Sequence, residues 1–271
     1  EYIRFDCCPR FFKLRFEGDE ESDRKWPEAF KPLSPLLYGS GKDLEAAKVK
    51  ELQKKASEYH DLSKIAVNVP DWQEPWTKSL RIIKDVLTSQ LLSQNTDPKK
   101  PVLLYQVPMI GHVGVWDVKG RADLIAVWPC KNGKVKVRIF EIKASWKEQT
   151  AHRIQVAIYT LLLSQALGEL SDGVELEGGV INKESDLENL ASEKLRFKLE
   201  PLIQDVKRLL SKNGELYRIH QKALQDVDYQ LCWRCDNCGF NECCIVRAVE
   251  KESIALLNLS RGEQNALGAQ G

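Results

Sequence analysis

The fold of this protein is decided by residues 120–143, which read GRADLIAVWPCKNGKVKVRIFEIK. An apolar run over residues 121–128 is followed by Asn132-Gly133, a pair that favours a tight hairpin because both residues tolerate positive φ. Residues 135–143 form the returning strand, and alternation places every second side chain on the same face. One face of that strand carries Val135, Val137, Ile139 and Glu141. The stretch therefore predicts two antiparallel strands joined by a short turn.

Helices and further strands are predicted around this hairpin. Apolar and charge spacing predicts helices over residues 43–59, 77–94 (with Thr77 as the cap), 148–167 and 198–210, and short helical stretches over 253–259 and 262–267. Strands are predicted over residues 102–107, 112–118 and 173–181, whereas residues 1–40 and 95–100 read as irregular. Helices that flank a central sheet define an α/β fold.

Composition limits the class of protein. The chain has 271 residues, of which 43% are hydrophobic and 29% charged, which is typical of a folded protein. Its formal net charge of +1 gives no overall bias toward nucleic acid, so any DNA-binding surface must come from local clustering. No apolar run reaches the roughly 18 residues that cross a bilayer, and no signal peptide is recognisable. We therefore expect a cytoplasmic protein without membrane contact.

Two carboxylates and a lysine are expected to meet at the end of the hairpin. Asp123 lies on the first strand, while Glu141 and Lys143 lie two residues apart on the second, with Ile142 turned into the core. Carboxylate oxygens suit Mg²⁺ or Mn²⁺, which can polarise a phosphate, and a nearby ammonium can orient water. Glu-x-Lys is common by chance, so its place at the end of an apolar strand is what favours a catalytic interpretation.

The helix that follows adds further polar side chains. Gln155 and Tyr159 are four residues apart and therefore share one helix face, and His152 lies one turn earlier on the same side. Taken singly, each has an ordinary explanation, as a polar residue at a helix–sheet edge or an aromatic residue in the core.

As a set, these residues resemble the RecB branch of the PD-(D/E)xK nucleases. The match consists of GRADLI from Gly120, EIK from Glu141, and a His-x-x-Gln-x-x-x-Tyr spacing that ends at Tyr159. The resemblance implies a restriction-endonuclease-like core with a mixed central sheet flanked by helices. It also implies roles for individual residues. Asp123, Glu141 and the peptide oxygen of Ile142 would bind the metal, Lys143 would assist the attacking water, and Gln155 and Tyr159 would arrange substrate and site.

One position departs from that family pattern. The family usually has Gly-x-x-x-His on an upstream helix, with the histidine as a metal ligand. Here Gly41 is followed by Glu45 at the matching place. Glu45 is thus either a harder metal ligand, which favours Mg²⁺, or a plain surface residue.

Clustered cysteines predict a second metal site. Eight cysteines are present, and in a long chain without a secretion signal such clusters favour metal ligation over disulfides. Zinc held by Cys232, Cys235, Cys238 and one of Cys243 or Cys244 is one interpretation, and packing thiols are another. Cys130, by the hairpin turn, is expected to be a plain thiol.

Cys8-Pro-Arg near the beginning and Cys235-x2-Cys238-x5-Cys244 near the end resemble the cysteine pattern of RecB-like nucleases of the AddB and CRISPR-adaptation types. That resemblance implies a [4Fe–4S] cluster on these four thiolates, joining the N- and C-terminal segments. Their neighbours Cys7 and Cys243 are the alternative ligands.

These patterns together predict a nuclease domain over residues 1–250 and a helical tail over 251–271. The tail resembles the start of a helix-hairpin-helix, and a chain that begins with Glu1 is expected to be a fragment or a processed form. The expected function is metal-dependent cleavage of DNA, on single strands or at ends, in recombination, repair or CRISPR adaptation, with a helicase domain or subunit as a possible partner. The alternatives are a nuclease-like DNA-binding module with weak or lost catalysis, and a zinc-bound scaffold.

Overall fold

A computed structural model describes residues 7–18, 35–65, 69–92, 100–130, 132–257, 259 and 261–268. The chain divides into two compact units. One comprises Pro35–Lys212, and the other combines Glu1–Ser34 with Asn213–Gly271. The predicted limits of the nuclease domain at residue 250 stay a prediction, because compactness alone does not set the limits of a domain.

The unit formed by Pro35–Lys212 contains a six-stranded mixed sheet with the order β1-β2-β3-β4-β5-β6. Two of its junctions are parallel, β1 with β2 and β4 with β5, and the other three are antiparallel. The predicted α/β fold with a mixed central sheet is therefore confirmed. The strands are β1 Glu58–Asp61, β2 Val102–Val113, β3 Trp116–Pro129, β4 Val135–Ile142, β5 Val174–Ile181 and β6 Arg196–Phe197.

Helices cover this sheet. They are α2 Pro35–Gln53, α3 Gln73–Leu92, α4 Thr150–Leu167 and α5 Glu200–Leu209, with 3₁₀ turns at Gly168–Gly173 and Glu193–Leu195. The predicted helix over 43–59 ends too late, because residues 58–61 instead form β1, which pairs in parallel with the start of β2. The predicted cap at Thr77 is also wrong, since α3 begins four residues earlier and the Thr77 hydroxyl bonds back to the Gln73 carbonyl. Residues 93–99, where the predicted helix end and most of the predicted loop fall, lie outside the described residues.

The single strand predicted over 112–118 is instead the end of one strand and the start of the next, joined by a turn at residues 114 and 115. Residues 112 and 113 complete β2, and β3 begins at Trp116. Gly114 adopts a positive φ of 64°, and an added Cβ there would meet the Leu210 carbonyl oxygen at 2.0 Å. The turn therefore requires glycine, which tolerates the positive φ and leaves room for the Leu210 carbonyl. The Asn132-Gly133 turn was predicted correctly, with Gly133 at φ 77°.

The core lies on both faces of the sheet. Alternation along β4 puts Phe140 and Ile142 on one face, where they pack with Val49 and Leu52 of α2. Glu141 points to the opposite face, where α4 contacts β4 and β5. The prediction that Ile142 is buried is confirmed, since it is 5% exposed.

Arg138 of β4 is fully buried and completely hydrogen-bonded. Its guanidinium donates to Glu177 of β5 at 2.9 and 2.6 Å and to the carbonyls of Leu190 and Ser192 at 2.7 and 2.8 Å. A third carbonyl, that of Ala191, lies at 3.4 Å. This group of contacts, called the Arg138 network below, ties β4, β5 and the segment 190–192 together.

The other unit joins two distant stretches of chain. Its helices are α1 Pro9–Phe12, α6 Glu215–His220, α7 Asn241–Glu250 and α8 Arg261–Gly268, with a π turn at Lys13–Glu17 and 3₁₀ turns at Leu224–Asp226, Trp233–Asn237 and Ile254–Leu256. Lys13 bonds the His220 carbonyl at 3.1 Å, and the rings of Phe11 and Phe240 meet edge to face with centroids 5.8 Å apart. Residues 9–17 were predicted as irregular, and α7 was not predicted. In the described part of the chain, no helix is long and apolar enough to cross a membrane.

Candidate functional site

The carboxylates of Asp123 and Glu141 are brought together by the register of β3 and β4. Leu124 pairs with Phe140, so Asp123 and Glu141 are the next residues along the two strands. The Ile142 N–H donates to the Asp123 carboxylate at 2.8 Å. Burial raises the pKa of Asp123, although Lys143 and this N–H act against the shift. The hairpin therefore places both carboxylates at one spot, as the sequence predicted.

Glu141 is the most deeply buried group of the site. It is 1% exposed, and burial, followed by the charge of Asp123, raises its pKa to about 8. Its Oε1 accepts a hydrogen bond from Gln155 at 2.7 Å and pairs with the Lys143 ammonium. Among the described residues, its Oε2 has no hydrogen-bond partner. A buried carboxylate oxygen without a donor is costly, so this atom is suited to a cation.

Lys143 follows directly after β4 and carries the ammonium of the site. Burial alone would lower its pKa, but the charges of Glu141 and Asp123 outweigh that effect and raise the pKa overall. The side chain is still 34% exposed. It is therefore charged and accessible at the edge of the two carboxylates.

Gln155 and Tyr159 face the carboxylates from α4. The Gln155 amide lies 2.7 Å from Glu141 and 3.0 Å from the Tyr159 hydroxyl. The Tyr159 ring lies against Gly120, where an added Cβ would come within 2.6 Å of the ring. Gly120 is thus required so that Tyr159 can approach β3 and hold Gln155 in place.

Glu45 of α2 also reaches the site. Its Oε1 accepts hydrogen bonds from the Tyr105 hydroxyl at 2.9 Å and from the Gln106 amide at 2.5 Å. The same Gln106 nitrogen lies 3.2 Å from Asp123 Oδ1. The Gln106 amide therefore stands between the two carboxylates and links Glu45 to the group.

Sequence reasoning missed Gln106 and Tyr105. Gln106 has a φ of 53°, which is unfavourable for a residue with a side chain, and the ladder between β2 and β3 lacks a pair at this position. Such strained residues cluster at functional sites. A polar residue within an apolar strand (LLYQVPM, residues 103–109) was the available signal, but a backbone conformation is not visible in a sequence.

His152 and Ile142 take part in hydrogen bonds that hold the backbone around the site. The His152 ring accepts from the Gln149 N–H at 3.3 Å and caps the first turn of α4. The Ile142 N–H bonds Asp123, as described above. The structure thus brings together Glu45, Asp123, Glu141, Lys143, Gln155 and Tyr159, while their roles stay predictions.

The donors around these carboxylates affect how they could hold a metal. In the described part of the chain, no group of three or more His, Cys, Asp or Glu residues is arranged as a metal site. The reason is visible in the contacts, because Gln106 separates Glu45 from Asp123, and Gln155 and Lys143 both bind Glu141 Oε1. Nitrogen donors thus occupy several of the oxygens that would ligate Mg²⁺ or Mn²⁺.

Most of the cysteines lie in the second unit, around a small aromatic core. Cys8, Cys238 and Cys244 pack against the cluster of Phe11, Leu14, Phe240 and Cys243. Cys8 also caps α1, its sulfur accepting the Phe11 N–H at 3.4 Å. Residue 8 therefore meets residues 238–244 within this unit.

Two of these thiols have raised pKa values, although the described cysteines do not form a group arranged to hold a metal. Burial first, and nearby thiols next, raise the pKa of Cys244 to about 12 and that of Cys235 to about 11. The thiols whose charges act on Cys235 include those of Cys232 and Cys8. Cys243 is 1% exposed and part of the aromatic core, which is the environment of a packing thiol.

Comparison with known proteins identifies the family. The model of the PD-(D/E)XK nuclease superfamily matches residues 17–245, so the chain belongs to that superfamily. A solved structure titled "Crystal structure of SSO0001" is 18% identical to the chain and has a TM-score of 0.27. The match covers 76% of this chain and 95% of that one. No curated protein matches the sequence.

Proposed function

We propose that this protein is a metal-dependent nuclease that cleaves DNA on single strands or at free ends. Membership of the PD-(D/E)XK superfamily supports phosphodiester hydrolysis as the reaction. The observation that carries the proposal is the buried Glu141, whose Oε2 has no donor within the described structure and lies in the same hydrogen-bonded group as Asp123 and Lys143.

The metal ligands in this proposal are the carboxylates of Asp123 and Glu141, the peptide oxygen of Ile142 and the carboxylate of Glu45. They are hard oxygen donors, which fit Mg²⁺ or Mn²⁺. When bound, such an ion lowers the pKa of water and neutralises charge on the phosphate. The Gln106 amide and the Lys143 ammonium, which bind these carboxylates in the structure, would then be able to donate to the substrate.

The remaining residues orient the reactants. Lys143 is charged and 34% exposed, so its ammonium can hold the attacking water and offset negative charge as the phosphate reacts. Gln155 bridges Glu141 and Tyr159 and so keeps Glu141 in one rotamer. Tyr159, pressed against Gly120, fixes that bridge in turn.

Cleavage by the purified full-length chain tests this assignment. The wild type should cut labelled DNA with Mg²⁺ or Mn²⁺ but not with a chelator, while Asp123→Ala and Lys143→Ala should keep the fold and lose cleavage. Glu148→Gln, which alters an ion pair with Arg153 on the exposed side of the helix start, is the matched control and should cut normally. A wild type that binds DNA but cuts no better than the Asp123→Ala variant would instead identify a DNA-binding module with lost catalysis.

We also propose that Cys8, Cys235, Cys238 and Cys244 hold a [4Fe–4S] cluster that stabilises the fold. Cys8, Cys238 and Cys244 pack against one small core, and the charge of Cys8 acts on Cys235, which supports this donor set. Thiolates buried beside one another repel, and iron would offset that repulsion while closing a very long loop. The cluster would link folding of the two chain segments and take no part in hydrolysis.

Anaerobic purification followed by metal analysis tests the cluster. Absorbance near 400 nm and iron bound to the protein are expected, and both should fall in Cys8→Ser and Cys238→Ser. Cys130→Ser, in the other unit, should leave them unchanged. Zinc without visible absorbance would favour the zinc-bound scaffold, and loss of iron in Cys7→Ser but not in Cys8→Ser would exchange those two ligands.

The cellular setting is also part of the proposal. Recombination, repair or CRISPR adaptation would supply DNA ends and single strands, and a helicase domain or subunit would be a natural partner because it generates them.

A further inference from the structure

A large aromatic side chain lies exposed in the segment that follows the lysine of the site. Trp146 is 64% exposed and follows Lys143 by three residues, in the segment that joins β4 to α4. Three residues of chain span at most roughly 11 Å. The indole is therefore close enough to contact a nucleotide next to the one whose phosphate reacts.

The segment that carries Trp146 is fixed to the end of β5. The Lys143 N–H donates to the Ile181 carbonyl at 2.8 Å, and the Lys183 N–H donates to the Ser145 carbonyl at 3.2 Å. The Lys183 ammonium then lies 5.0 Å from the centre of the Trp146 ring. The ring is thus held in place from one side although it remains exposed to water.

An exposed tryptophan with a cation on one side is suited to bind a nucleotide. Aromatic rings normally gain stability by burial, so one that stays exposed leaves a face available for a partner. Bases of a single strand stack on such rings regardless of sequence, whereas paired bases are already stacked on one another. Lys183 and the exposed Lys147 add positive charge near the ring, and the neighbouring Glu148 is paired with Arg153.

We propose that Trp146 is a stacking platform for an unpaired base of single-stranded DNA, one or two nucleotides from the phosphate that is cleaved. Lys183 holds the ring in position and offers its charge to an adjacent phosphate. This inference rests on the proposed nuclease function and deepens it, since it names the residue that selects unpaired DNA.

Trp233 provides a matched control. It is 71% exposed, and the Arg234 guanidinium lies 4.7 Å from its ring centre, so it has the same exposure and the same kind of cation. It belongs to the unit that holds the cysteines and not to the unit that holds the carboxylates. A general effect of removing an exposed tryptophan would therefore appear equally at Trp146 and Trp233.

Equilibrium binding measures the stacking directly. The full chain with Asp123→Ala, which prevents cleavage, is titrated with labelled oligo-dT, with an oligomer of equal length that lacks all bases, and with a blunt duplex. Trp146→Ala should weaken oligo-dT binding about five- to a hundredfold, the range for loss of one stacked base. Binding of the base-free oligomer and of the duplex should change less than about threefold, and Trp146→Phe should restore most of the oligo-dT affinity.

Several results would overturn the proposal. Trp146→Ala binding like its parent is one, and equal weakening for the base-free oligomer is another, because that would indicate a loss of charge or fold. Equal weakening by Trp233→Ala would also overturn it, because the effect would then not depend on a place near the carboxylates.

Failure of the nuclease proposal is distinguishable from failure of this one. A protein with Asp123 intact that binds oligo-dT through Trp146 but cuts nothing with Mg²⁺ or Mn²⁺ contradicts only the nuclease function. A protein that cuts, while its Trp146→Ala variant binds and cuts equally well, contradicts only the stacking.

Discussion

Strand β4 carries two buried ionic groups on opposite faces, and they differ in how completely they are satisfied. Arg138 is fully buried, bonds Glu177 and three carbonyls, and leaves none of its nitrogens unpaired in the described structure. Glu141, three residues later, shares one oxygen between Gln155 and Lys143, and its other oxygen has no donor among the described residues. The comparison separates Arg138, whose hydrogen bonds stabilise the fold, from Glu141, whose second carboxylate oxygen remains able to bind a ligand.

The pKa values report the same contrast. Burial would raise the pKa of Glu177, but Arg138, with Lys136 and Arg196, outweighs it and lowers the pKa overall. At Glu141 burial is the largest influence and the pKa rises to about 8. The protein thus stabilises the charged form of Glu177 and disfavours that of Glu141. Carboxylates with raised pKa values are common at sites that bind a metal or a substrate.

The largest expected effect is on catalysis. Glu141→Gln removes a charged oxygen ligand but keeps the size of the side chain, so cleavage should fall at least about a thousandfold, the scale of losing a preorganised electrostatic group. The free energy of unfolding should change by less than about 1 kcal/mol, because the amide oxygen can still accept from Gln155 and the change removes a carboxylate whose burial is unfavourable. Initial cleavage rates and urea unfolding measure the two quantities. If Glu141→Gln cuts normally, Glu141 is not needed for catalysis and does not differ from Arg138 in the way described.

The second expected effect is on stability. Arg138→Met should lower the free energy of unfolding by about 3–5 kcal/mol, because Glu177 and the carbonyls of 190–192 lose their buried partner. Activity per folded molecule should stay within about twofold. The double variant Arg138→Met/Glu177→Leu should recover much of the loss in urea unfolding, and no recovery would show that the Arg138 network is not the cause.

A smaller effect is expected at Gln106. Gln106→Ala removes hydrogen bonds to two carboxylates and should cost about 1–3 kcal/mol without divalent metal. Because the carboxylates then lack their shared donor, Mg²⁺ should raise the melting temperature more in this variant than in the wild type. Gln106→Gly should be about 1 kcal/mol more stable than Gln106→Ala, since glycine tolerates the φ of 53°. An equal Mg²⁺ response in wild type and Gln106→Ala would contradict this account.

The smallest effect is a pH dependence of stability through Glu177. Its pKa is lowered in the folded state, so its contribution is present above the unfolded value of about 4.3 and is lost as pH falls through the folded pKa. The stability difference between wild type and Glu177→Gln should therefore shrink steadily below about pH 4. Glu193→Gln, which affects the exposed partner of Arg196, should show no such trend in urea unfolding at several pH values.

Parts of this molecule follow from local sequence patterns. The Asn132-Gly133 turn, the strand that ends at Glu141 and the helix that carries Gln155 and Tyr159 were predicted closely, because alternation and helical spacing are local properties of the chain. The β2–β3 hairpin was not, since a lone Gly114 gives a weak turn signal. The edge strand β1 was missed because its pairing with β2 depends on residues about 40 positions away.

By itself, the sequence determined which chemistry was available, namely two carboxylates and a lysine at the end of one hairpin and thiols near both ends of the chain. Only the tertiary structure decided how those groups are completed. The left-handed Gln106 between Glu45 and Asp123, the closure of the Arg138 network by residues 190–192, and the approach of Cys8 to Cys238 all join parts of the chain that no local pattern connects. These contacts depend on packing, because residues that are distant in the sequence meet only when the folded core fixes both of them in place.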